Sequence, residues 1–249
     1  MLIVAVAGIL LAKSYYGNRN RLVDPRIVSA RELYEGYNEY ARTGNYLRIF
    51  ALLDTIEKIY FSIPHYEESF ELGVLENNQA AALLTIALYR DSIPESSNPL
   101  KELTSDTLVQ MASFHIHEAI RLYDQWNTTY SGLNRDEIRE HINPEFMQGL
   151  EPLDMALREK YLETRTEEIE EALSENQRRL SVCYTNLGLV HRYRGEYVEA
   201  AEQYKKAIEL WDRNLDAENN LNKLLNKPLR KQNFIQRMFP PSKDASTNN

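Results

Sequence analysis

The chain has 249 residues, 43% of them hydrophobic, enough to bury a sizeable core, so disorder of the whole chain is excluded. Nine glycines and nine prolines are few for this length, and Leu, Ala, Glu, Arg and Tyr dominate, which predicts an all-α fold. The formal charge of −8 conceals basic ends around an acidic middle: residues 32–218 hold 35 acidic and 18 basic side chains, a surface that repels phosphates, so no nucleic-acid partner is expected.

Residues 2–12, LIVAVAGILLA, are an uninterrupted apolar run followed by Lys13, Tyr15 and Tyr16. Eleven helical residues cover about 17 Å against a hydrocarbon core of about 30 Å. Snorkelling by Lys13 and interfacial anchoring by the tyrosines extend the run to a marginal span. Residues 1–17 are therefore expected to be a short hydrophobic anchor or signal-like helix, with a helix buried in the core as the alternative. Residues 18–31, with four arginines against Asp24, read as a basic linker. An uncleaved anchor places the body on the periplasmic or extracytoplasmic side, the expectation favoured, whereas positive charges after the segment favour the cytoplasmic face.

The segment 32–61 predicts two helices joined at Gly44, with Leu33, Tyr37 and Tyr40 on the first and Tyr46, Ile49, Leu53 and Ile56 on the second. A second pair is expected within 77–126: Leu83, Ile86 and Ala87 on its first helix, then Ala112, Ile116, Ala119 and Tyr123 on its second. Pro94 and Pro99 between them predict a long connection. Residues 151–180 carry nine acids and five bases and read as a helix with a solvated acidic face, continuous with the stretch that follows.

That stretch, 181–214, is the most ordered pattern in the chain. Counting from Ser181, it places Tyr184, Leu187, Gly188, His191, Gly195, Tyr197, Ala200, Tyr204 and Ala207 at positions 4, 7, 8, 11, 15, 17, 20, 24 and 27. Gly188 leaves room for a second helix to approach, and Gly195 supplies the positive φ that ends the first. Ala200, Tyr204 and Ala207 then recur at i, i+4 and i+7 as a small, large, small stripe. Residues 215–226, with Leu221, Leu224 and Leu225, form a capping helix ended by Pro228, and 227–249 is a basic tail whose Leu229, Phe234, Ile235, Met238 and Phe239 share one helical face.

The spacing in 181–214 resembles the tetratricopeptide repeat (TPR), a helix-turn-helix unit of 34 residues, with His191 where that family has Tyr and Asp212 where it has Pro. The segment 111–124 aligns on 199–212, pairing Ala112 with Ala200, Ile116 with Tyr204 and Ala119 with Ala207. The resemblance implies a solenoid of helical hairpins over 32–226 and a concave groove for a protein partner. Its groove positions here are Val182, Thr185, Leu189 and Arg192, so Leu189→Glu is expected to weaken partner capture with helicity intact. Anchor and solenoid together are similar to membrane-anchored bacterial envelope proteins of that family, such as the collar proteins of spirochaete flagellar motors.

Signals for chemistry are weak. His115 and His117 are two residues apart, so on a helix they point in different directions and do not share a metal. The nucleotide-loop, zinc-protease and nucleophile-elbow patterns are missing. Cys183 has no partner for an intrachain disulfide and reads as a small buried hydrophobe. Glu67, Glu68 and Glu71 are explained by a helix start. The expected function is a non-enzymatic scaffold or assembly factor in a membrane-associated complex, with no cofactor, metal or small-molecule substrate; a soluble peptide-binding adaptor or co-chaperone is the alternative.

Overall fold

The computed structural model describes residues 22–231, which fold into eight α-helices without a strand among the described residues. In chain order these are α1 (Val28–Thr43), α2 (Tyr46–Phe61), α3 (Phe70–Leu88), α4 (Ser105–Tyr130), α5 (Arg135–Phe146), α6 (Met155–Tyr193), α7 (Tyr197–Leu210) and α8 (Leu215–Leu224). Neighbours in sequence pack as pairs, α1 with α2, α3 with α4 and α6 with α7, while α8 packs on α7. The long α6 is the common support, receiving α3, α4 and α5 along its length.

Local chemistry sets these boundaries. Gly44 at φ 65° and Gly195 at φ 78° end α1 and α6 in the left-handed conformation, which costs glycine little. Asn45, Thr104, Asn134, Asp154 and Asn214 each accept a backbone N–H at the start of the next helix, and Asn134 forms a reciprocal capping box with Glu137. With no proline between 155 and 193, α6 runs unbroken for 39 residues, about 58 Å. Helix α3 is buried around most of its circumference, consistent with a sequence that lacks a polar stripe.

One contact recurs. A Cβ on Gly188 would lie 2.4 Å from the Tyr204 ring, and one on Gly73 would lie 2.7 Å from the Tyr123 ring. In each pair a glycine on the first helix receives an aromatic ring from the second. In α1 and α2 the looser equivalent is Gly36, whose Cβ would sit 3.7 Å from Leu52. The second hairpin thus has a different register from the expected one. Leu72 and Gly73 match Leu187 and Gly188, and Tyr123 rather than Ile116 takes the place of Tyr204, so α3 begins seven residues before the expected 77.

Other expectations shift as well. The end of the expected linker is ordered, with Val28–Arg31 already in α1 and Asp24 buried. No helix among the described residues is long and apolar enough to cross a membrane. The run 2–12, and Phe234, Ile235, Met238 and Phe239 of the tail, lie outside the described residues. After Pro228 the chain doubles back along α8, where the Asn219 side chain accepts from the Arg230 N–H at 2.8 Å and donates to its carbonyl at 3.0 Å.

Candidate functional site

The densest charge chemistry lies where α3 and α6 meet the start of α1. Arg165, 1% exposed, donates to Glu71 at 2.6 and 3.3 Å and to Glu168 at 3.3 Å. Its guanidinium also lies 4.4 Å from the Tyr66 ring centroid. Burial pushes the Glu71 carboxyl up, but the charge and hydrogen bonds of Arg165 outweigh that and hold it at about 2. Glu168 is shared with Arg31, and Asp24 is held by Arg26 at 2.7 Å and accepts from the Tyr66 hydroxyl at 3.3 Å. The acids of 151–180 are thus not all solvated, and Glu71, in the first turn of α3 as expected of a helix start, is also a buried ion-pair partner.

This network fixes one wall of a cleft. His65, in the connection from α2 to α3, adopts φ 74°, an uncommon conformation that places its ring edge-on to Phe146 at 5.7 Å. Its Nε2 accepts from Arg165 Nε at 3.1 Å, which assigns the ring proton to Nδ1. Burial, and then the Arg165 charge, hold its pKa well below the usual value, so the ring is neutral.

The cleft itself has a volume of about 380 Å³. Trp126 and Tyr130 of α4 line it, their ring centroids 4.6 Å apart. His65, Glu67 and Glu68 form one side, and His141 and Glu145 of α5 the other, with His141 edge-on to Tyr130 at 5.6 Å. Glu68 accepts from Gln125. Burial pushes the Tyr130 phenol up to about 12. The indole N–H of Trp126 is buried and has no hydrogen-bond partner among the described residues. The three carboxylates of the lining favour a cation and repel an anion, while the Trp126 ring already lies under the Arg165 guanidinium, 5.6 Å from its centroid.

The expected groove residues are not on an open surface. Val182, Thr185 and Leu189 are 3, 0 and 1% exposed. Leu189 belongs to the main core. Thr185 accepts from Asn214 at 2.9 Å, and Ser181 beside it donates to the carbonyl of Ala207 at 2.6 Å, so the start of α8 covers this face. Arg192 alone is half-buried. A capping helix was expected at the end of the last unit; that it shuts this face depends on the Asn214 side chain, which spacing does not reveal.

Of the residues expected to pack the repeat, Ala112, Ile116, Ala119, Ala200, Tyr204 and Ala207 are fully enclosed, and Leu187 and Gly188 are buried. Tyr184 is half-buried under the Lys206 ammonium at 4.0 Å, and His191 is bonded to Glu196 at 2.6 Å. Tyr197, the first residue of α7, is 60% exposed, unlike the other side chains of the pattern. His115 and His117 bond separately, to Glu76 at 2.6 Å and to the Ser113 carbonyl at 2.7 Å. Cys183 is fully buried, and burial pushes its thiol up. Among the described residues, no cluster of His, Cys, Asp and Glu is arranged to hold a metal ion.

The cleft escaped sequence reasoning because its residues come from three elements, with His65 and Glu145 80 positions apart. The one local signal was the interleaving of Glu and His in 65–68 and 141–145. The chain matches no protein-family model, and neither a curated protein nor a solved structure is similar to it.

Proposed function

We propose that this chain is a non-enzymatic protein-protein interaction scaffold built from TPR-like helical hairpins stacked as a short solenoid. The observation that carries the reading is the repeated contact in which Gly73 receives Tyr123 and Gly188 receives Tyr204. It is a packing rule used twice, as expected of a repeat whose units stack to bury one another. Partner contact is assigned to the cleft between the α2–α3 connection, α4 and α5, because the groove positions on α6 are covered by the chain itself. Its carboxylates, Glu67, Glu68 and Glu145, suit a basic segment of a partner protein. Tethering through residues 1–17, with the body on the extracytoplasmic side, remains part of the proposal and rests on the apolar run 2–12.

A crosslinking pull-down from native membranes, comparing the full chain with one lacking residues 1–17, tests this reading. A defined set of membrane-associated proteins captured only by the full chain supports the anchored scaffold. Equal capture by the truncated chain from the soluble fraction supports a soluble adaptor instead. A second reading, acid–base catalysis, draws on the convergence of two imidazoles and three carboxylates in the cleft. Against it, His65 Nε2 is occupied by Arg165 and its ring is held neutral.

A further inference from the structure

The cleft between the α2–α3 connection, α4 and α5 carries two layers of different chemistry. Its outer lining is acidic: Glu67, Glu68 and Glu145 are all exposed. Glu68 is engaged by Gln125, whereas Glu67 and Glu145 form no ion pair or hydrogen bond with a described residue. Its inner lining has no charge to offer a cation. Arg165 lies behind it, 5.6 Å from the Trp126 ring centroid, and the carboxylates that meet this guanidinium, Glu71 and Glu168, are already engaged by it.

What the inner lining does offer is hydrogen-bond donors. Trp126, 3% exposed, lines the cleft, and its indole N–H has no partner among the described residues. An indole nitrogen only donates, and a buried donor left without an acceptor is unfavourable enough that such groups are rare in folded proteins. His65 supplies a second donor. Because its Nε2 accepts from Arg165, its ring proton is on Nδ1, and that N–H forms no hydrogen bond with a described residue. The cavity of about 380 Å³ is within the range of small-ligand sites, so a short peptide segment fits where a folded domain does not.

We propose that the cleft recognises a peptide carbonyl flanked by basic side chains: the carbonyl oxygen enters the inner layer and accepts from the Trp126 indole N–H and the His65 Nδ1–H, while a lysine or arginine beside it meets Glu67 and Glu145. The inference rests on the assignment of the cleft to a basic partner segment and adds what distinguishes such a segment from any other polycation. A ligand that carries only positive charge pairs with the outer carboxylates and leaves both inner donors unmet. A peptide of the same charge satisfies both layers, because its main chain brings a neutral acceptor alongside each basic side chain.

Isothermal titration calorimetry of the full chain at fixed low ionic strength tests this by comparing acetyl-Lys-Gly-Lys-Gly-Lys-amide with spermidine, which carries the same charge and no carbonyl group. The peptide is expected to bind about tenfold more tightly. Trp126→Phe keeps an aromatic ring and removes the N–H; it should bring the peptide down to the spermidine affinity and leave spermidine unchanged, whereas damage to the cleft as a whole would weaken both ligands. Should Trp126→Phe not fold, His65→Gly takes its place, since it removes the second donor and suits the backbone at φ 74°; the same loss of preference is expected. Glu67→Gln/Glu145→Gln should weaken both ligands alike. Equal binding of peptide and spermidine by the wild-type chain overturns the inference and leaves the cleft as a site for basic segments selected by charge alone. Binding of neither overturns that assignment as well. A peptide preference that survives in Trp126→Phe or in His65→Gly also overturns the inference.

Discussion

Replacing Gly188 by Ala adds one methyl group where α6 and α7 leave no room for it. The new Cβ would lie 2.4, 2.7 and 2.9 Å from three atoms of the Tyr204 ring. Tyr204 is 0% exposed and cannot swing outward. Overpacking of this kind costs about 1–3 kcal/mol, and contact with three ring atoms places this site near the upper end. Against it, Ala gains roughly 1 kcal/mol over Gly in a helix interior. The net expectation is a loss of about 2 kcal/mol, or a fall of roughly 4–8 °C in the unfolding midpoint for a chain of this size. Gly36→Ala is the control, because its Cβ meets Tyr40 and Leu52 at the ordinary distances of 3.5 and 3.7 Å. Only the propensity gain applies there, and the midpoint should rise. Circular dichroism at 222 nm against temperature measures both variants, and Tyr204→Leu should restore part of what Gly188→Ala loses. Equal or greater stability of Gly188→Ala, or a destabilised Gly36→Ala, refutes the packing argument.

Leu189→Glu, expected from spacing to spare the fold, should instead unfold or severely destabilise the chain, since it places a charge at a core position 1% exposed; urea unfolding reads the loss. Arg165→Met removes the cation that Glu71 is bonded to, although Glu168 keeps Arg31, and should cost about 3–5 kcal/mol, whereas Arg165→Met with Glu71→Met should cost less. The Glu71 carboxyl, held at about 2 when folded, stabilises the fold above the unfolded-state carboxylate pKa. That contribution is lost as pH falls from about 5 towards 2, and Glu71→Gln should flatten this acid limb in pH-dependent unfolding. Gly195→Ala, at φ 78°, should lose about 1 kcal/mol from the left-handed backbone alone.

The sequence was most legible where one helix meets the next at short range. Gly188, Gly195, Ala200 and Tyr204 announced a hairpin because a close approach and a left-handed turn each demand a particular residue type. The second hairpin was read out of register. The Pro-rich connection separates Gly73 from Tyr123 by 50 positions, so the matching Leu72-Gly73 pair lacked its partner at the usual distance. Positions 182, 185 and 189 are buried rather than open because spacing fixes the face of a helix, not what later covers it; Asn214 caps Thr185, and Leu189 joins the main core. The cleft joins residues 65–68 to 125–145 and the buried Arg165 pairs with Glu71 94 positions away, and local periodicity carries no information about those.

Site-specific photocrosslinking tests the account most directly. A photoreactive residue at His141, on the rim of the cleft, is compared with one at Arg213, in the exposed turn before α8, in the full chain in native cells. The account predicts a discrete adduct with a basic segment of a partner from position 141, lost in the Glu67→Lys/Glu145→Lys variant and not formed from position 213. Adducts that are the same from both positions, or that persist when the cleft carboxylates are reversed, would contradict the assignment of the cleft as the partner-binding surface.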